Sequence, residues 1–171
     1  MQLITLLTPL ALLITTALAE ATIVDALAAV NGQTLQLQNA VTSWHGDLLG
    51  LLPITKQSTD VLLETNKGTR AAKKSAPLDA LGALGVAEAT VTLTQSVNSS
   101  LSPLIAAKPK FDRLKVSPLI LVSLGLQKKA TEDMSAAILD KVPADLRGVA
   151  EGLVAPIAAS FELAVDAFHP F

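Results

Sequence analysis

The chain has 171 residues, half of them hydrophobic but only 3% aromatic, with no cysteine and a formal charge of -2 at pH 7. These figures exclude a disulfide scaffold and any cysteine-based zinc site, and the near-neutral charge gives no electrostatic case for a nucleic-acid partner. Aliphatic residues dominate while tyrosine is absent and tryptophan appears once, a composition that favours helices over sheets.

The first nineteen residues read as a secretory leader. An apolar run from Leu3 to Leu13 is followed by Thr15, Thr16 and Ala17-Leu18-Ala19, the small-residue pattern of a cleavage site. No Lys or Arg precedes Glu20, so the start amine alone supplies the positive charge. The run is shorter than the ~20 apolar residues that span a bilayer. Cleavage after Ala19 leaves residues 20–171, a length that suits one domain, and no transmembrane segment is expected in it.

Between prolines, apolar residues recur at steps of three and four, one face of an α-helix. The first predicted helix runs from about Thr22 to Leu49, with Ile23, Leu27, Val30, Thr34, Leu37, Val41 and Trp44 in one stripe and Gly32 as a weak spot. A second follows Pro53, carries Ile54, Val61 and Leu62, and weakens through Gly68 into the basic stretch Arg70 to Lys74. After a loop at Ser75-Ala76-Pro77, a third is predicted from Leu78 to Ala107, with Leu84, Ala87, Val91, Thr94, Asn98, Leu101 and Ile105 in register and Pro103 as a kink or stop.

The fourth opens at Ser117-Pro118, a cap followed by a first-turn proline, and reaches about Asp140. Its residues Leu119, Ile120, Leu121, Val122, Leu124 and Leu126 cannot all face one neighbour, so this stretch is expected to be surrounded by other helices. The fifth starts near Pro143 and repeats through Leu146, Val149, Leu153, Ile157, Phe161, Ala164 and Phe168, with a bend at Pro156. Short connections between such helices imply antiparallel neighbours. The predicted fold is an all-α, monomeric, compact antiparallel bundle of about five helices.

No motif carries covalent chemistry, and no enzyme, cofactor or metal is expected. His45 and His169 are the only histidines and lie near opposite ends of the chain, too few for zinc without cysteine. No G-x-S-x-G elbow is present. Glu132 and Asp133 are adjacent, so they diverge by about 100° on a helix and more simply answer Lys128 and Lys129 at i,i+4.

Two basic clusters, Lys67-Arg70-Lys73-Lys74 and Lys108-Lys110-Arg113-Lys115, serve either solubility or contact with anionic head groups or an acidic cell-wall polysaccharide, a contact that salt would screen. Asn98-Ser99-Ser100 is the one N-glycosylation sequon after the leader. Asn98 falls on the predicted apolar stripe, where a glycan would obstruct packing.

Several segments resemble the fungal hydrophobic-surface-binding and cell-wall galactomannoprotein family over roughly Thr22 to Phe168. The resemblance rests on a leader followed by a cysteine-free helical domain and on Lys108-Pro109-Lys110-Phe111. Ala137-Ile138-Leu139-Asp140-Lys141-Val142-Pro143 and the closing Ile157, Phe161 and Ala164 add to it. It implies a secreted or wall-associated helical bundle that adsorbs to hydrophobic surfaces, with a fatty acid between helices in some members. The chain ends at His169-Pro170-Phe171 with neither a Ser/Thr-rich stalk nor a hydrophobic tail for a lipid anchor, so a freely secreted form is expected.

Three uses of the apolar faces stay open: mutual burial in a structural or host-interaction protein, an interior left open for an acyl chain, or adsorption to wax, polymer or lipid. For the acyl chain, the expected wall lies between the third, fourth and fifth helices and comprises Val91, Leu101, Leu119, Val122, Leu126, Ile157, Phe161 and Val165. Thr94, Asn98 and Ser123 interrupt apolar stripes and are the expected polar head-group partners, since a buried polar group without a hydrogen bond costs ~1 to 3 kcal/mol.

Overall fold

A computed structural model describes the backbone of residues 7–169 and the side chains of residues 18–169. The predicted leader therefore lies outside the described residues over 1–6, and outside the described side chains up to residue 17. Six helices and no strand occur among the described residues: α1 (Leu7–Thr42), α2 (Leu51–Lys74), α3 (Ala80–Ala106), α4 (Lys108–Arg113), α5 (Ser117–Leu139) and α6 (Arg147–Phe168). The all-α expectation holds. The count differs by α4, a single short helix with Pro109 in its first turn, which carries most of the second basic cluster between α3 and α5.

Local chemistry accounts for the start of α3. Asp79 caps α3 by accepting a 2.8 Å hydrogen bond from the Gly82 amide, satisfying one of the donors that a helix start leaves free. Pro103 sits in the last turn of α3 and does not stop it, and α6 runs through Pro156. Ser117 is not the cap of α5. Val116 holds that position without a side-chain hydrogen bond, and the Ser117 hydroxyl donates instead to the Asp112 carboxylate of α4. Hydrogen bonds from Lys108 first and Ser117 second hold the Asp112 carboxyl below the usual carboxylate range. Gly68 does not weaken α2: it is buried, and a Cβ there would stand 2.6 Å from the Met134 methyl, so the glycine makes room for that side chain.

The five long helices close into a ring in the order α2, α1, α3, α6, α5 and back to α2. Pairwise contacts give their directions. Ala26 lies beside Gly68, so α1 and α2 are antiparallel. Glu20 lies beside Gly82 at one end and Trp44 beside Phe111 at the other, so α1 and α3 run in parallel. Ser58 meets Ser123 and Gly68 meets Met134, so α2 and α5 are parallel as well. Lys128 reaches Glu162 at 3.3 Å, making α5 and α6 antiparallel. The expectation that consecutive helices are neighbours fails between α2 and α3, because α1 occupies the place between them.

Polar contacts on the outer face follow the sequence. Lys128 pairs with Glu132 and Lys129 with Asp133 at i,i+4. By length and composition α6 could cross a bilayer, yet Ile157, Phe161, Ala164 and Phe168 turn one face of it into the ring, where each is buried.

A five-helix ring has a consequence for packing. At interaxial spacings of about 9 Å each axis stands roughly 7–8 Å from the centre, beyond the ~5–6 Å radius of a helix with its side chains. Large side chains must fill the difference. This chain has few: four Phe, two Met and one Trp. Trp44, Phe111 and Phe168 cluster with ring centroids 4.4 and 5.9 Å apart and close one end, leaving Phe161 to serve the middle. Several inward positions are small instead, among them Thr34, Thr65, Thr90 and Ser100.

Candidate functional site

The unfilled centre is a cavity of about 250 Å³ between α1, α2, α3 and α5, with Phe161 as the contribution of α6. Its wall carries Val30, Leu37, Ile54, Val61, Leu93, Val97, Leu101, Leu104 and Met134, and no charged residue. The threonines on it are less polar than their names suggest. Thr34 and Thr65 donate to the carbonyls of Val30 and Val61, at 2.9 and 2.8 Å, so each hydroxyl is satisfied within its own helix and its methyl remains for the cavity.

The wall also carries the hydroxyls of Thr55, Thr59, Ser100 and Thr131, and one polar cluster stands out on it. Across the α2–α5 seam the Ser58 and Ser123 hydroxyls lie 2.6 Å apart, and Nε2 of buried Gln127 donates to Ser58 Oγ at 2.7 Å. An amide and two hydroxyls carry four polar hydrogens in all. The Ser58–Ser123 bond, the Gln127–Ser58 bond and a longer one from Gln127 Nε2 to Ser123 Oγ at 3.5 Å use three of them, leaving one donor for a third party. An uncharged donor on the wall of a largely apolar cavity suits an acceptor such as a carboxylate oxygen, carbonyl or hydroxyl.

The cavity opens along the same seam, beside Leu119, Val122 and Leu126, which are 59%, 60% and 53% exposed. The apolar opening of α5 is therefore not surrounded by helices as expected. Leu124 is buried, but the other face forms the rim of a mouth because the seam leaves a gap.

Of the wall residues expected from the sequence, Leu101, Leu119, Val122, Leu126 and Phe161 line this cavity. Ile157 is buried below it and Val165 is half-buried against the core. Val91 is exposed, Thr94 bonds to the Thr90 carbonyl outside the lining, and Asn98 is exposed with Oδ1 accepting from Ser160. These three misplacements have one cause. Helix α3 is rotated by about one residue from the expected register, so Val86, Thr90, Leu93, Val97, Ser100 and Leu104 point inward. The packing objection to a glycan on Asn98 falls with it.

Of the three polar candidates, Ser123 lies on the cavity wall, in a cluster with Ser58 and Gln127, which the sequence does not single out. They lie 65 and 69 positions from their partners, and the available signal is the group of small polar residues Thr55, Ser58 and Thr59 beside Ile54 in an amphipathic helix.

A second cavity, about 300 Å³, lies nearer the other end between α3, α5 and α6, the three helices expected to enclose the ligand. Thr90 is the one polar residue on its wall, and its hydroxyl is bonded to the Val86 carbonyl at 2.8 Å.

Comparisons with known proteins give a consistent picture. The profile described as hydrophobic surface binding protein A matches residues 20–140. Cell wall mannoprotein 1 of Aspergillus fumigatus is 30% identical over 150 residues, covering 87% of this chain and 52% of that protein. The protein of the same name from Aspergillus flavus is 28% identical over 144 residues, covering 84% and 52%. The chain thus spans about half the length of these relatives. Among solved structures, that of AFMP4P in complex with palmitic acid superimposes with a TM-score of 0.84 at 25% identity, covering 88% of this chain and 99% of that one. Ligand binding domain 1 of the Penicillium marneffei MP1 protein, complexed with arachidonic acids, shares the fold with a TM-score of 0.81 at 18% identity, covering 85% and 95%.

Proposed function

The chain belongs to the hydrophobic surface binding protein A family, and from that premise we propose that it is a secreted, non-enzymatic protein holding a long-chain fatty acid inside its helical ring. The observation that carries this reading is a cavity with a largely apolar, uncharged wall that holds one polar cluster, Ser58, Ser123 and Gln127, with a hydrogen-bond donor to spare. The carboxylate would sit at that trio and the methylenes along the wall. The palmitic acid in AFMP4P supports the ligand class.

Burial of methylenes supplies most of the affinity, at ~0.8 kcal/mol each before several kcal/mol of association cost. The head-group bond adds to it, since a hydrogen bond to a charged group contributes about 1.5–3 kcal/mol. Titration of the folded protein with palmitate should show saturable binding, and Gln127→Leu should weaken it roughly 10- to 100-fold. Folded wild-type protein that takes up no palmitate would refute the carrier reading.

A second reading has its own support. Leu48, Leu49 and Leu52 at the α1–α2 corner are 65%, 79% and 68% exposed, and the Ser58–Ser123 register brings this corner to the same end of the bundle as Leu119. Together they form an apolar edge suited to adsorption on a hydrophobic surface. The same titration separates the two: retention on an alkyl resin without palmitate uptake is the signature of adsorption alone.

Secretion, with association to a fungal cell wall, is the localisation we propose, supported by the leader pattern, the family match beginning at residue 20 and the cell-wall relatives. N-terminal sequencing of the exported protein should begin at Glu20; an intact Met1 terminus in a membrane fraction would contradict it.

A further inference from the structure

We propose that the two cavities are halves of one acyl channel interrupted by Met134, so that a chain anchored at Gln127 passes Met134 and ends in the second cavity. This rests on the acyl-binding reading above. The first observation is volume. A cavity of about 150 Å³ accommodates benzene, or roughly 25 Å³ per carbon. By that measure the first cavity, at about 250 Å³, takes about ten carbons. A sixteen-carbon chain needs roughly 400 Å³, which the first cavity lacks and the two together supply, given about 300 Å³ in the second.

The second observation is direction and length. The end of the ring beyond Leu104 is closed by Trp44, Phe111 and Phe168, so a chain leaving Gln127 runs the other way, toward Met134. At 1.5 Å per residue, Met134 lies about 10 Å and Ile138 about 16 Å from Gln127 along α5. An extended sixteen-carbon chain measures roughly 18 Å at the ~1.2 Å per bond of an extended chain. Its last carbons therefore come level with Ile138, on the wall of the second cavity.

The third observation is the thinness of the partition. Leu93 and Met134 line the first cavity; one turn further along the same helices, Thr90 and Ile138 line the second. On α6, buried Ile157 separates Phe161 from Leu153 in the same way. One helical turn of side chains stands between them. Met134 is its movable part, an unbranched side chain with three rotatable bonds whose methyl occupies the space left by Gly68. The channel requires a change of this rotamer and no movement of a helix.

The test is the affinity of the full chain for saturated fatty acids of ten, sixteen and twenty carbons, in wild type and in two variants that fill the second cavity from opposite walls, Ala150→Phe and Ala87→Phe. Both positions are half-buried on its lining, and circular dichroism checks that each variant is folded. Wild-type affinity should rise by about threefold or more per methylene from ten to sixteen carbons. Each filled variant should bind the sixteen-carbon acid at least about 30-fold more weakly and the ten-carbon acid as wild type does. Sixteen-carbon binding unchanged in both variants, or affinity already level at ten carbons, would overturn the channel. Wild-type protein that binds none of the acids would instead refute the acyl-binding reading beneath it.

Discussion

Ser100→Phe should abolish palmitate binding while leaving the bundle folded and no less stable. Ser100 is 4% exposed, on the inward face of α3 and on the wall of the first cavity. A phenyl ring there displaces about six carbons of ligand, and at ~0.8 kcal/mol per buried methylene that removes about 5 kcal/mol of binding, a loss of several thousandfold. Enlarging a core residue normally costs ~1–3 kcal/mol because close-packed neighbours must move. Here the added volume enters space that is already open, so thermal unfolding should occur at or above the wild-type temperature. Palmitate titration and a thermal melt on the same sample measure both halves. Undiminished binding by the folded variant would show that the ligand lies elsewhere.

Phe111→Ala should be the most damaging single truncation for stability. Phe111 is fully buried and carried by α4, the short helix between α3 and α5. Its ring packs on Trp44 of the α1–α2 connection at 4.4 Å and on Phe168 at the end of α6 at 5.9 Å between centroids. The aromatic group thereby fastens three parts of the chain at the closed end of the ring. Lys110 reinforces it by donating to the Trp44 carbonyl at 2.8 Å. Loss of a buried phenyl costs about 3–5 kcal/mol including the cavity left behind, which for a domain of this size lowers the unfolding midpoint by roughly 10–15 °C. A shift under about 3 °C would mean that the aromatic cluster does not hold the ring closed.

Much of this was legible in the residues, and the failures share a physical origin. The stripe from Ile23 to Val41 on α1, continued by Trp44 just past its end, is buried at each of its aliphatic and aromatic positions, because that helix packs on two neighbours. On α3 both candidate faces carry aliphatic side chains, Leu84 and Val91 on one and Val86, Leu93 and Val97 on the other, so periodicity alone does not choose between them. Tertiary packing chose the second, carrying Thr94 and Asn98 away from the cavity.

The polar site was half legible for a similar reason. Ser123 is conspicuous as a break in the apolar run of α5, but its partner Ser58 depends on the parallel pairing of α2 with α5, two helices separated by α3 and α4 in the chain. No local pattern encodes that pairing. What the composition did encode is the cavity itself, since five helices with so few large side chains leave their centre unfilled.

Native mass spectrometry of the folded protein after incubation with a small excess of palmitate tests the central claim most directly. The account predicts a dominant species carrying one bound fatty acid, lost in Ser100→Phe. A spectrum showing only ligand-free wild-type protein would contradict it.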